Sequence, residues 1–280
     1  MPKFIITTIL LLACTNGFTM LRALNTAATG MTAQEANVNT ISNNIANVNT
    51  IGFKKGRAEF EDLLYETIRN PGSRSSATTR YNVGTQIGSG ATISAVRKSF
   101  GQGSPQITQN PFDLMINGDG FFAIIMPNNQ LRYSRDGAFN VDNQGTLVTQ
   151  NGYKVFPGIT LPPNTKNVVV SENGNMDVYI SNQVQPSMVG TIPLFTFANP
   201  VGLKSAGGNL YLMTESSGQA MQSVAGQGHV GTIMQGALES SNVSIMTEMT
   251  SLIKAQRAYE MNSKVMGVAD QMLQTVNSIR

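Results

Sequence analysis

The chain offers few side chains that could act as nucleophiles, general bases or metal ligands. Its 280 residues include one cysteine, Cys14, and one histidine, His229. A single cysteine excludes a disulfide within the chain, and a structural zinc site would need mostly carboxylates, which such sites avoid. His229 lies in the flexible-looking stretch GQGHVGT, as solvated histidines often do. We therefore predict no metal site and no cofactor-binding site.

Three carboxylates are the remaining candidates for chemistry. Asp113, Asp119 and Asp136 could in principle supply an acid–base pair. Glycines beside Asp119 and Asp136 favour turns instead, and no G-x-S-x-G, H-E-x-x-H or Walker motif occurs. The turn sequences NGDG and DNQG lack the spacing of a calcium loop. The sequence predicts no catalytic residues, with an enzyme kept as an alternative.

The composition narrows the class of protein. Charged residues make up 12% of the chain and hydrophobic residues 41%, against roughly 25% charged in typical soluble domains. Such a low charge suits surfaces that are covered by other protein or that lie outside the cytoplasm. The net charge is only +3, with no run of five basic residues. We therefore expect neither nucleic acid nor a small-molecule substrate as a partner.

Residues 1–19 have the sequence pattern of a signal peptide. A lysine precedes the apolar run from Phe4 to Ala13, and Leu11 to Cys14 resembles a lipoprotein cleavage box. The run is too short for a permanent membrane span. The alternative, which we favour, is a misassigned start, with translation beginning at Met20.

Both ends of the remaining chain show helical periodicity with a heptad repeat. We predict an N-terminal helix over 20–52, with Gly52 as its stop, and a C-terminal helix over 236–280. Between Leu21 and Gly52 the only charges are Arg22 and Glu35. The residues that we expect to pack subunits together are Leu24, Met31, Val38, Ile41, Ile45, Val48, Ile245, Leu252, Tyr259, Met266, Leu273 and Val276.

The region between the helices predicts β-structure. Turn signals recur at Asp142-Asn143-Gln144-Gly145, Asn151-Gly152 and Asn173-Gly174, with strand-like alternation beside them. We assign 53–82 to an extended arm and 83–235 to a β-rich outer domain. The predicted fold class is α+β, with the long terminal helices paired as a coiled-coil-like inner domain. An ordinary domain with its terminal helices packed on its own sheet is the alternative.

The first helix carries asparagine where a soluble helix usually carries charge. The run SNNIANVNT holds four asparagines between apolar positions. Buried amides contribute roughly 0.5–1.5 kcal/mol per hydrogen bond, whereas an unpaired buried charge is strongly unfavourable. Asparagine is also a poor helix former. We therefore predict a helix that is marginal alone and folds when copies of the chain surround it.

Three blocks of sequence resemble the axial proteins of the bacterial flagellum, the family of rod, hook and related proteins. SNNIANVNTIGFK is similar to the N-terminal signature of that family, and ESSNVSIMTEMTSLIKAQRAYEMNSKVMGVADQML to its C-terminal signature. NGDGFFAI and YSRDGAFNVDNQGTLVTQNGYKV resemble the opening of the shared β-domain. The segment FEDLLYETIRNPGSRSS resembles an arm of the rod branch that hook proteins lack. The signature residues are Ser42, Asn43, Asn44, Ala46, Asn47, Thr50, Gly52, Phe53, Lys54, Gln256, Arg257, Tyr259 and Glu260.

The resemblance implies a non-enzymatic building block that polymerises helically with itself. It implies export through the flagellar type III apparatus and a place in the periplasm-spanning rod of the basal body. The implied partners are proximal rod proteins, the hook protein and the surrounding periplasmic and outer-membrane ring proteins. Head-to-tail contacts that do not close give such an open polymer.

A binding protein of another class is the main alternative. A secreted or lipid-anchored β-rich adhesin or binding module would use Cys14 as its anchor and the polar β-domain as its binding surface. Tryptophan, a common binding platform, is absent from the chain. This alternative also assigns no role to the terminal helices.

Overall fold

Two long helices flank a largely β-structured middle, so the predicted α+β class is confirmed. The computed structural model describes residues 2–74, 79–180 and 185–278. Helix α1 is Pro2–Ala46 and helix α2 is Ile245–Ser278. Helix α1 continues through most of the residues that we assigned to a leader. No helix in the described ranges is long and apolar enough to cross a membrane.

Helix α1 ends six residues before the predicted stop at Gly52. Beyond Ala46 the chain tightens into turns, in which the amides of Asn47, Val48 and Thr50 each donate to the carbonyl three residues earlier. The Thr50 hydroxyl also bonds the Asn47 side chain at 3.1 Å. Asparagine and threonine form such local bonds in competition with the helix, which explains the early end.

The described chain divides into two units, each with its own packing. The helix unit comprises the described parts of 1–43, 56–97 and 246–280, and the β unit comprises 44–55 and the described parts of 98–245. The predicted boundaries therefore need correction, because strands continue past 235 and α2 begins only at Ile245.

The region that we assigned to an extended arm forms part of a two-part antiparallel ribbon. Strands β1 (Gly56–Asp62) and β4 (Ala91–Lys98) form one pair, and β2 (Tyr65–Arg69) and β3 (Thr85–Gly88) form the other. The ribbon extends beyond 82 because a strand must pair to satisfy its backbone groups. Residues 83–97, which we assigned to the outer domain, thus lie in the helix unit.

The β unit is built from short antiparallel strands. Its seven-stranded sheet has the order β16-β17-β8-β7-β11-β10-β9, a three-stranded sheet has the order β12-β13-β14, and pairs form between β15 and β18, β19 and β6, and β20 and β5. The bounds are β5 Pro105–Ile107, β6 Leu114–Asn117, β7 Phe122–Ile125, β8 Leu131–Ser134, β9 Phe139–Val141, β10 Leu147–Thr149, β11 Lys154–Val155, β12 Thr165–Val170, β13 Asn175–Ile180, β14 Ser187–Thr191, β15 Leu194–Thr196, β16 Lys204–Gly207, β17 Leu210–Leu212, β18 Met221–Ser223, β19 Thr232–Gln235 and β20 Ala237–Glu239.

Two apolar clusters fill the β unit. One surrounds Phe122, whose ring meets Phe139 edge-on at 5.1 Å between centroids. The other is aromatic and centres on Phe121, Tyr133 and Tyr211. Edge-on aromatic contacts add to the free energy of area burial. Large apolar side chains are fully enclosed here without any contribution from a second chain.

Candidate functional site

The two helices approach each other closely within the helix unit. A Cβ atom added to Gly30 of α1 would lie 2.7 Å from the side-chain nitrogen of Asn262 on α2. On both sides of Asn262, at spacings of seven residues, Ala255 and Ala269 are buried. Ala27 is buried near Gly30 on α1. Small side chains along this row allow the helix axes to come near one another.

The predicted packing residues flank this row of small residues. Ile41 is buried, Ile245 and Tyr259 are exposed, and the side chain of Val276 lies outside the described residues. The others are half-buried, namely Leu24, Met31, Val38, Ile45, Val48, Leu252, Met266 and Leu273. A single chain thus leaves most of these large residues partly accessible, whereas Ala27, Ala255 and Ala269 are buried. The role of the large residues in packing subunits together stays a prediction.

A second apolar face runs along α2 and is exposed. Seven large apolar side chains recur every three or four residues, with one gap of eight. We call them the α2 stripe: Met246, Met249, Ile253, Met261, Val265, Val268 and Met272. At about 100° per residue, Met246, Met249 and Ile253 lie roughly opposite the row of Ala255, Asn262 and Ala269, and the rest of the stripe lies about 50–110° around the helix from that row. The exposed ion pair of Arg257 and Glu260, at 3.1 Å, lies in the gap of the stripe.

An exposed apolar helix face of this length indicates a surface that another protein covers. A helix of a finished soluble domain usually has one apolar side and one polar side. Helix α2 carries the exposed stripe in addition to the row of Ala255, Asn262 and Ala269, and in the described residues the two alanines of that row are buried. The sequence analysis missed the stripe because a heptad repeat describes only one contact face of a helix.

The ribbon also exposes apolar side chains. Leu64, Tyr65, Ile68 and Val83 are exposed on it or beside it. Glu66 of β2 forms an ion pair with Arg22 of α1 at 2.7 Å, which ties the ribbon to the first helix. The ribbon thus has both an anchored point and an uncovered apolar surface.

A cluster of buried charges lies inside the β unit. The ammonium group of Lys54 donates to Glu239 Oε1 at 2.6 Å and to the carbonyl of Gly101 at 2.8 Å. Arg135 Nη1 lies 3.5 Å from Glu239 Oε2. The Lys54 and Glu239 side chains are 0% and 1% exposed. Burial lowers the pKa of Lys54 below its usual value, and the carboxylate of Glu239 opposes that shift.

Asn242 ties three segments together beside this cluster. Its side-chain oxygen accepts from the amide of Lys55 at 2.8 Å, and its side-chain nitrogen donates to the carbonyls of Ser99 and Gly101 at 2.8 and 3.0 Å. Sequence reasoning singled out neither Glu239 nor Asn242. The block ESSNVSIM contains both, but residues so distant from Lys54 in sequence give no local signal of contact.

The signature residues fall into three environments. Gly52 has a φ of +66°, and a Cβ there would lie 2.7 Å from the backbone carbon of Arg135. Lys54 and Asn44 are buried, whereas Asn47, Thr50 and Phe53 are half-buried. The remaining signature residues are exposed in this chain, namely Ser42, Asn43, Ala46, Gln256, Arg257, Tyr259 and Glu260.

The candidate carboxylates serve local structure. Asp113 accepts from the side chains of Thr108 and Asn110, at 2.5 and 2.9 Å. Asp136 accepts from the amide of Ala138 at 3.0 Å and from the side chain of Asn209 at 3.2 Å. Burial raises the pKa of Asp136, and these hydrogen bonds oppose the shift. Each of these two carboxylates holds a turn through its own hydrogen bonds.

Three families of flagellar proteins match parts of the chain. They are the Flagella basal body rod protein family at residues 24–54, the Flagellar hook protein FlgE/F/G D1 domain at 115–178, and the Flagellar basal body rod FlgEFG protein C-terminal family at 234–279. The matches at the two ends include residues of both helices, and the middle one covers strands of the β unit.

Full-length relatives agree with these matches. The chain is 47% identical over 261 residues to the flagellar basal-body rod protein FlgG of Caulobacter vibrioides, covering 93% of this chain and 100% of the relative. It is 45% identical to FlgG of Borreliella burgdorferi, over 93% of this chain and 99% of the relative. FlgG of Bacillus subtilis is 36% identical, over 93% of this chain and 100% of that protein.

Identity at this level over nearly the whole chain accompanies a shared fold and role. The matches include both signature blocks and the β unit between them. The chain therefore belongs to the FlgG family of flagellar basal-body rod proteins and is a structural subunit of the rod rather than an enzyme.

Proposed function

We propose that copies of this chain stack helically into the distal part of the rod, with α1 and α2 forming the inner tube. The α2 stripe carries this proposal, because its apolar side chains recur over 246–272 and stay exposed among the described residues. In the polymer each stripe packs against helices of neighbouring copies, while the row around Asn262 pairs α2 with α1 in a coiled-coil-like seam. The polymer then acts as the drive shaft that transmits torque to the hook.

Asparagines of α1 and of the turns that follow it support the same assembly. Asn39, Asn43 and Asn49 are exposed in the single chain. In the polymer their amides can be buried against neighbouring copies, where each hydrogen bond contributes roughly 0.5–1.5 kcal/mol. Neutral amides allow this burial without the large penalty of a desolvated charge.

We assign partners by position in the shaft. Copies of the chain contact one another along the inner helices, and the terminal copies contact proximal rod proteins on one side and the hook protein on the other. The ribbon, with its exposed Leu64 and Ile68, braces neighbouring copies. The β unit faces the ring proteins, and the subunits reach their site unfolded, through the flagellar type III apparatus.

A charge placed on the stripe tests the assembly. We expect Val268→Asp to prevent rod completion, since burying an unpaired carboxylate between copies is strongly unfavourable. Ser263→Asp is the matched control, because it adds the same charge at an exposed site of α2 away from the stripe. The readouts are tubes of concentrated protein in electron micrographs and the number of hooks per cell. Normal tubes and hooks in Val268→Asp would refute the proposal.

Limited proteolysis of the dilute chain tests whether the helices depend on neighbours. We expect cleavage within 21–48 and 242–279 first, leaving a resistant β core, because helices with uncovered apolar faces gain stability mainly from packing. Helices that stayed intact in the dilute monomer would argue against folding on assembly.

A further inference from the structure

The chain passes between the two units at four places, and the β-unit segments next to three of them meet. Residues 52–55 continue into the ribbon, 98–104 return from it, and 239–245 lead into α2. Ser99 donates its amide to the Lys55 carbonyl at 2.9 Å. The amide of Gly52 donates to the Glu239 carbonyl at 2.7 Å, and Ser240 donates to Ser104 at 3.0 Å. Each segment is therefore bonded to the other two.

Side chains strengthen this meeting point. Glu239 accepts from Lys54 and from the amide of Gly103, the latter at 2.8 Å. Lys54 also donates to Gly101, and Asn242 bonds all three segments through one side chain. Ion pairs this deeply buried contribute little net stability compared with apolar packing, since both charges lose their hydration. Their effect is to hold one geometry, because any displacement leaves a buried charge without its partner.

We propose that Lys54, Glu239 and Asn242 form a clamp that shares mechanical load among these three segments. The clamp residues are positioning residues for torque transmission, so this inference rests on the proposed drive-shaft function. These segments adjoin three of the four places where the covalent chain passes between the two units, so force that travels along the chain at those places passes through them. Without the clamp, each segment opens separately under load. With the clamp, the segments open only together, which requires several buried hydrogen bonds to break at once.

Asn242→Ala is the main test variant. It removes three hydrogen bonds of a half-buried side chain and leaves the buried charges paired, so the β unit should still fold. Arg97→Gln is the control, because it breaks the exposed ion pair with Glu59, at 2.6 Å, within the helix unit. Single-motor torque is measured at low and high load in cells that carry each variant, and hooks with basal bodies are counted in electron micrographs.

We expect Asn242→Ala cells to have a normal number of basal bodies and normal rotation at low load, but to lose torque or break rods at high load. Arg97→Gln should match the wild type at both loads. Equal torque for wild type and Asn242→Ala at every load would overturn the clamp. A parallel fall in basal-body number and in torque at all loads would also overturn it, because it indicates a role in folding alone.

A pair of variants tests the ionic part without relying on motility. Glu239→Gln leaves two buried cations side by side, whereas Lys54→Met with Glu239→Gln removes that repulsion. We expect amide exchange at Gly52, Lys55, Ser99 and Gly103 to accelerate by about tenfold or more in Glu239→Gln, and the double variant to recover part of that loss. A double variant no better than Glu239→Gln would refute the ionic part. If Val268→Asp assembles normally, in contrast, the proposed packing of the polymer is refuted. The amide-exchange test of the clamp does not depend on that result.

Discussion

The two units differ in how completely a single chain buries its apolar side chains. In the β unit large residues such as Phe122, Leu194 and Val178 are fully buried. In the helix unit the buried apolar residues are mostly alanines, whereas large ones such as Met246, Met261 and Leu64 are exposed. Buried apolar area is the main source of folding free energy. The β unit thus encloses its own apolar core in one chain, whereas the helix unit leaves large apolar side chains exposed, which we propose neighbouring copies cover.

The largest expected effect is a cavity in the β unit. Phe122→Ala should lower the free energy of unfolding of this unit by about 3–5 kcal/mol, because the lost ring is fully buried against Phe139. Met272→Ala on the α2 stripe should change the stability of the dilute chain by less than about 0.5 kcal/mol. Denaturant titration measures both variants. Similar losses would mean that the helix unit also has a complete core.

Adding a methyl group at Gly52 should have the next largest effect. Gly52→Ala should destabilise the β unit by about 2–4 kcal/mol, since the residue has a positive φ and its Cβ would strike the backbone of Arg135. Gly152 also has a positive φ, +77°, but open space around it. Gly152→Ala should therefore lower the free energy of unfolding only by the cost of placing alanine at a positive φ, about 1–2 kcal/mol. Chemical denaturation of the two variants separates the cost of the steric clash from the cost of the positive φ. Equal losses of stability in the two variants would exclude a clash between the methyl group added at Gly52 and the backbone of Arg135.

Alkaline pH should weaken the β unit through Tyr211. Burial raises the pKa of this phenol from 10.0 to about 12, with Glu239 reinforcing the shift and Arg135 opposing it. A raised pKa means that the stabilisation is complete below pH 10 and is lost as the pH rises through about 12. Two pKa units correspond to about 2–3 kcal/mol. Stability measured between pH 9 and 12 should fall more steeply in the wild type than in Tyr211→Phe, and identical slopes would contradict this prediction.

The smallest effects concern two helical glycines. Gly267 of α2 has nothing within 4 Å of an added Cβ, so Gly267→Ala should stabilise the helix by about 0.5–1 kcal/mol. Gly30→Ala should stabilise the helix less than Gly267→Ala does, or should destabilise it, because the added methyl group would clash with the side chain of Asn262. Circular dichroism during thermal unfolding of the dilute chain compares them. An equal gain at both sites would show that α1 and α2 do not pack closely there in the isolated subunit.

Local patterns predicted much of the fold because they depend on neighbouring residues. The heptads around Leu24 and Leu252 predicted two terminal helices, and the paired turn residues such as Asn151-Gly152 predicted a β-structured middle. Boundaries were less predictable. Asn47 and Thr50 end α1 through side-chain bonds that a heptad template ignores, and the ribbon extends to Lys98 because β4 pairs with the distant β1.

The candidate site was predictable only in part. The signature blocks placed it at the two ends of the chain and included Gly52 and Lys54, without a physical reason for either residue. Glu239 and Asn242 were not predicted, since their partners are the segments around Lys54 and Gly101. The spacing of the α2 stripe can be read from the sequence. Only the structure shows that these side chains are exposed rather than part of a core.

By itself the sequence determined the helical ends and the β-structured middle, because periodicity and turn residues act locally. Only the tertiary structure decided which face of each helix is buried, which glycine meets a backbone, and that Lys54 pairs with Glu239. Those features depend on residues far apart in sequence that fold into contact, and buried charge and close packing are defined only by what surrounds them.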